Sequence, residues 1–180
     1  MGDDAKSVPT LGFLTVVEHP QHGLFGGYLL LTMNGRPLEF HCTAPVKPNR
    51  AQEILFGPTL APYLYGEQIG RTLLTKSSVE PLVVCTDLPA VLAVREHTQV
   101  PVALVLQAET DKNFRVDGAH NGVPQAAFKF RERSLAVSAG RRDDQSLILE
   151  RLAATAEQLD LAEPFDRIRG AIEEAQRGGK

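Results

Sequence analysis

The sequence predicts an α/β fold, with α+β as the alternative arrangement, built on a mixed sheet of about five to seven strands. Three observations predict it. Asn34-Gly35 sits between two apolar runs and is the dipeptide that a two-residue type I′ hairpin turn requires, since both central residues must tolerate φ > 0. The segments PLVVCTD (81–87) and VPVALVLQ (100–107) are continuous apolar runs flanking the helical pattern LPAVLAVREHT, the size and order of a right-handed βαβ unit with parallel strands. Finally, the chain closes on two amphipathic helical patterns.

Taken in order, LGFLTVVE (11–18) is β-branched and apolar on both faces, as a covered strand would be. His19-Pro20-Gln21-His22-Gly23 forms a turn, because Pro20 cannot continue a ladder and Gly23 supplies a permissive backbone. The hairpin follows and completes an antiparallel meander. Pairing outward from Met33 and Arg36 sets Leu31 opposite Leu38, Leu29 opposite Phe40 and Tyr28 opposite His41. Leu29, Leu31, Leu38, Phe40 and Cys42 then share a core face, and Pro37, which lacks a donor, places its arm at a sheet edge.

Asn49 is positioned to cap a short helix from Arg50, followed by a joint at Gly57-Pro58 and a longer helix from Pro62 to Lys76. Asp87 reads as the cap of the βαβ helix, with Pro89 in its first turn. Residues 111–124 are loop-like, with Asp117-Gly118 and Asn121-Gly122 as turn formers, and Ala126–Ser138 is a strand pair or one long strand. Leu149, Leu152, Ala156 and Leu159 mark the stripe of the first C-terminal helix, and Phe165, Ile168 and Ile172 that of the second, which begins at Glu163-Pro164. The expected organisation is a flexible start (1–9), a mixed α/β domain (10–140), a C-terminal helical pair packed on the domain or on a partner (141–177), and a frayed tail (178–180).

Composition narrows the function classes. A net charge of -3 argues against nucleic acid as a partner, since a binder would need a basic stripe to displace counterions from phosphates. The knot of Lys129, Arg131 and Arg133 reads as the wet face of a strand. The start MGDDAKSVPT has no secretory pattern, and no apolar run reaches the length of a membrane span, so neither export nor a membrane is expected. Two cysteines are too few for a disulfide framework, and the expected compartment is cytoplasmic, with reduced thiols.

The sequence contains no GxGxxG, GxxxxGK[ST], Gly-x-Ser-x-Gly, CxxC or HExxH, so no cofactor is expected and no activity is named by motif. Candidate chemistry reduces to isolated residues. Cys85 lies at the carboxyl end of a parallel strand, where open α/β sheets bind ligands, with Asp87 as a candidate acid two residues on, and His41, with Glu39 and Tyr28 on the hairpin's second face, is a candidate for acid–base work. His19 and His22 are weak metal-ligand candidates whose spacing matches no ligand motif. The hairpin's second face, Tyr28, Leu30, Glu39 and His41, is too apolar for open solvent. With Phe165, Ile168 and Ile172 it suggests an interface. The function expected from these features is a non-catalytic module that forms a homo-dimer or homo-oligomer or docks on a protein partner. The alternative is a small thiol- or metal-dependent enzyme or sensor centred on Cys85.

Overall fold

In the computed structural model, which describes residues 8–107 and 123–178, the N-terminal apolar stretch forms three antiparallel strands, β1 (Thr10–His19), β2 (Gly23–Thr32) and β3 (Pro37–Cys42). Residues 1–7 and 179–180, His120 and the two turn formers Asp117-Gly118 and Asn121-Gly122 lie outside the described residues. β4 (Val83–Thr86) pairs parallel with β1, and β5 (Val102–Val105) parallel with β4. A hairpin of β6 (Gln125–Phe130) and β7 (Arg133–Ser138) completes a seven-stranded mixed sheet in the order β3-β2-β1-β4-β5-β7-β6. The α/β fold, the meander and the parallel unit agree with the sequence.

Both faces of the sheet are covered, which explains why the central strands are apolar on alternate and intervening positions alike. On one face, Leu11, Phe13 and Cys85 meet α3 (Asp144–Leu152) and α4 (Glu163–Arg177) through Ile148, Phe165 and Ile168. On the other, Leu14, Tyr28 and Leu30 meet a helical arm through Leu64, Ile69 and Leu73. That arm is α1 (Arg50–Phe56), a π-helical stretch Pro62–Gly70 and α2 (Arg71–Lys76). Asn49 caps its start, as the sequence suggested, and Gln52 completes a capping box with it.

Two glycines fix how closely these layers approach. A Cβ on Gly66 would lie 2.7 Å from Ala93 Cβ and 2.8 Å from the backbone nitrogen of Val94, so the π-helical stretch rides directly on the segment that links β4 to β5. A Cβ on Gly27 would lie 2.3 Å from Ile168 Cγ2, which lets α4 settle onto β2.

Four local expectations are corrected. The hairpin turn has three residues: Thr32 O accepts from Gly35 N, Thr32 N donates to Arg36 O, and only Gly35 takes positive φ (87°). A three-residue loop needs one left-handed position rather than two, and the odd count shifts the register so that Leu31 pairs with Pro37. Leu38 is the extra residue and is 47% exposed; Phe40, 38% exposed, and Cys42 are likewise surface residues, because α4 packs over β1 and β2 and stops short of edge strand β3. The βαβ crossover is a 3-10 helix, Pro89–His97, whose cap position is Leu88, so Asp87 is not its cap. Finally, α3 ends at Leu152 and buries Ile148 and Leu152, leaving Leu149 exposed.

A buried ion pair ties the crossover to the C-terminal helices: Arg95 Nε and Nη2 donate to Asp144 at 2.8 and 3.3 Å, with both side chains largely out of solvent. Removing one partner strands a buried charge. Asp144→Ala is therefore expected to lower unfolding free energy by about 3 kcal/mol, measured by urea denaturation.

Candidate functional site

The residues singled out from the sequence fall into three places. The first is the hairpin's second face, which is covered by the chain's own helical arm: Tyr28 and Leu30 are wholly buried against Leu64, Ile69 and Leu73. Gly12 makes room for the Tyr28 ring, since a Cβ there would lie 2.5 Å from its hydroxyl oxygen. Burial pushes that hydroxyl's pKa well above the phenol range. Glu39 and His41 do come together, with His41 Nε2 3.0 Å from Glu39 Oε2. The carboxylate also accepts from Ser77 Oγ at 3.1 Å, from Ser78 N at 3.3 Å and from Ser78 Oγ. The Ser78 hydroxyl first, then His41, lowers Glu39 to about 2. These bonds latch the end of α2 to β3. Phe165, Ile168 and Ile172 are buried in the same chain against Phe13 and Gly27.

The second place is the interior beneath α4. Cys85 has no exposed surface, and desolvation pushes its thiol up to about 12, the opposite of what a reactive thiolate needs. Apart from these three places, His19 and His22 stack in the exposed β1–β2 turn with ring centroids 4.6 Å apart. His19 Nδ1 accepts from Gln21 N and His22 N, so that nitrogen holds the turn. Among the described residues no three His, Cys, Asp or Glu side chains converge as a metal site.

The third place is a crevice beyond the carboxyl ends of β4 and β5, about 630 Å³ in volume and lined by Asp87, Gln107, Arg133, Asp160, Glu163, Asp166 and Arg169. Open α/β sheets bind ligands in this position. Strand alternation carries Cys85 and Asp87 to one face, and the register that sets Leu14 beside Thr86 brings Thr15 alongside Asp87. Thr15 Oγ1 donates to Asp87 Oδ1 at 2.6 Å. Phe165 packs edge-on against Phe13, with centroids 5.6 Å apart, and fixes the rotation of α4. Arg169, one turn further along, then pairs with Asp87 Oδ2 and lies 3.5 Å from Asp166. Arg133 closes the other wall, pairing with Asp160 at 2.7 Å and donating to Leu106 O. The Asp87 side chain is only 6% exposed, yet its partner Arg169 is 42% exposed. Asp87 thus holds Arg169 from behind, while Asp160 and Asp166, at 52% and 84% exposure, share the crevice surface with the two arginines.

Of these residues the sequence had pointed to Asp87 alone among candidates for chemistry. Thr15 was a single hydroxyl in an apolar run. Arg169, Asp166 and Glu163 had the spacing of a solvated helix surface. Of the basic knot, only Arg133 reaches the crevice: Lys129 donates to Ser134, and Arg131 to the carbonyls of Thr155 and Ala156.

No protein-family model and no curated protein matches the chain. Solved structures do. Human endonuclease V aligns over 98% of this chain and 88% of its own, at 15% identity and a TM-score of 0.51. The catalytic domain of the human enzyme aligns over 95% and 85%, at 9% identity and a TM-score of 0.49. Endonuclease V of Ciona intestinalis, in complex with DNA containing an inosine followed by a ribo-adenosine, aligns over 74% and 72%, at 10% identity and a TM-score of 0.43. The likeness is one of fold.

These findings correct three expectations. The non-catalytic docking or dimerising module, with its thiol alternative, gives way to a fold like that of a nuclease, and the surfaces that motivated it are covered by the chain's own helices. The homo-oligomer and protein-partner expectations lose their support for the same reason. The exclusion of nucleic acid is corrected as well, because the fold is like that of human endonuclease V and because a net charge of -3 summed over the chain does not report where the arginines sit. Among the described residues no helix is long and apolar enough to cross a membrane.

Two outcomes test this description. In the folded protein, iodoacetamide at mildly alkaline pH should label exposed Cys42 and leave Cys85 unlabelled until denaturant is added, as peptide mass mapping would show. Glu39 is shifted down from 4.5 to about 2, so its contribution to stability is complete above the upper value and is lost as pH falls through the lower one. Glu39→Gln should therefore flatten the fall in urea midpoint across that acid window and leave the slope at neutral pH unchanged.

Proposed function

We propose that this chain is an enzyme acting on nucleic acid, taking the phosphodiester backbone into the crevice beyond β4 and β5. The observation that carries the reading is the Thr15–Asp87–Arg169 arrangement at the carboxyl end of β4, in a sheet that follows the endonuclease V fold over nearly the whole chain. Guanidinium groups suit this task because their planar fork matches phosphate oxygens and they stay charged at any working pH. Arg133 and Arg169 would bind the phosphate and stabilise the charge that develops on it during cleavage. Asp87 and Thr15 would serve as positioning residues that hold Arg169 in place. The free state of both cysteines supports a cytoplasmic setting.

Labelled single- and double-stranded DNA and RNA, with and without inosine, should bind the purified chain in fluorescence anisotropy, with affinity falling as salt rises. Arg133→Ala should weaken binding across all sequences and lower the salt slope by about one. Cleavage followed on gels should fall in Asp87→Asn. Failure of the folded wild-type chain to bind any of these nucleic acids at low ionic strength would overturn the reading.

A further inference from the structure

Phosphodiester cleavage sites are often built on paired carboxylates that clamp divalent metal ions between protein and phosphate. This crevice has the carboxylates, Asp87, Asp160, Glu163 and Asp166, and each already has an arginine. Both oxygens of Asp87 are taken, Oδ1 by the Thr15 hydroxyl and Oδ2 by Arg169. Asp160 Oδ1 accepts from Arg133 at 2.7 Å and from Ala162 N at 3.0 Å. Glu163 Oε1 accepts from Arg167 at 2.8 Å, and Asp166 lies 3.5 Å from Arg169. Asp87 therefore offers a metal ion no open oxygen, and among the described residues no three acids converge as a metal site.

We infer that Arg169 is the resident cation of this crevice: lodged between Asp87 and Asp166, its guanidinium does for a phosphodiester what a divalent metal would do, so that nucleic acid is held there without divalent metal. Three features of the structure support it. Asp87 is nearly inaccessible behind Arg169, so a metal ion could reach it only by displacing the arginine. The arginine is seated by packing one turn earlier, where Phe165 is locked on Phe13, and by carboxylates on two sides. Its side chain is 42% exposed, so part of it is open to a ligand from solvent. The inference deepens the nucleic-acid reading and rests on it for its ligand, but the identity of the cation can be tested separately.

Two measurements on the full chain decide it. Mn2+ titration followed by electron paramagnetic resonance should show no Asp87-dependent site in the wild type, while Arg169→Gln, which removes the charge and leaves Asp87 and Asp166 unanswered, should gain one that Asp87→Asn abolishes in the double variant. Anisotropy with a labelled single-stranded DNA should give the same wild-type affinity in EDTA as in Mg2+, whereas Arg169→Gln should bind roughly tenfold more weakly in EDTA and recover with Mn2+. Arg169→Lys, which keeps the charge, should remain independent of metal even if Arg169→Gln does not fold. A wild-type Mn2+ site lost in Asp87→Asn, or wild-type DNA binding that disappears in EDTA, would overturn the inference. Absence of any nucleic-acid binding would instead sink the functional reading, and the Mn2+ titration would still report on Arg169.

Discussion

The parallel pairing of β1 with β4 is the constraint on which the rest of the molecule depends. It joins the N-terminal meander to the β4–β5 unit, turning two small pieces into one sheet with two buried faces. Its register, Leu11 beside Val83 through Leu14 beside Thr86, also sets the chemistry, because one step further places Thr15 beside Asp87. A slip of one residue would turn Thr15 and Asp87 to opposite faces and send Phe13 away from Phe165. Folding and site geometry are thus consequences of the same ladder.

The layers on this sheet reach their spacing through missing side chains. Gly27 admits Ile168, and Gly26, whose Cβ would lie 2.2 Å from Ile69 Cγ2, admits the helical arm on the opposite face. Neighbouring glycines in one strand thereby let helices approach from both sides. The approach of α4 is the one with functional weight, since it carries Arg169 to Asp87. The buried Arg95–Asp144 pair adds direction more than free energy: breaking such a pair is costly, but forming it costs desolvation of both groups. It anchors the start of α3 to the end of the crossover, and α4 follows from there.

How much of this was legible in the sequence depended on the range over which each signal acts. Several local signals held: the cap at Asn49, Pro164 in the first turn of α4, and the edge position implied by Pro37 all stand in the structure. The hairpin turn failed because Asn34-Gly35 fits two loop lengths, and the bulge at Leu38 that decides between them is invisible to a dipeptide rule. The second face of the hairpin suggested an interface because nothing in residues 26–45 reveals that Leu64, Ile69 and Leu73 will cover it. Cys85 and Asp87, two apart in one strand, differ in the same way. Desolvation silences the first, while the end of the strand opens the second to partners 72 and 82 residues away in sequence.

The net charge was the least informative number of all, and the crevice shows why. Charges act over about a Debye length, near 8 Å at physiological ionic strength, so a sum over 180 residues averages over many independent neighbourhoods. In the crevice each acid faces an arginine, and the two sets contribute differently to what an incoming ligand meets. Asp87 is buried and spends its oxygens on Thr15 and Arg169, while Arg169 stays partly exposed. Asp160 and Asp166 are exposed as well, so an approaching ligand meets carboxylate and guanidinium together, and only at Asp87 is the acid hidden behind its cation. A buried acid such as Asp87 can in this way fix a partly exposed cation at one point of an overall acidic protein, which a sum over the chain does not reveal.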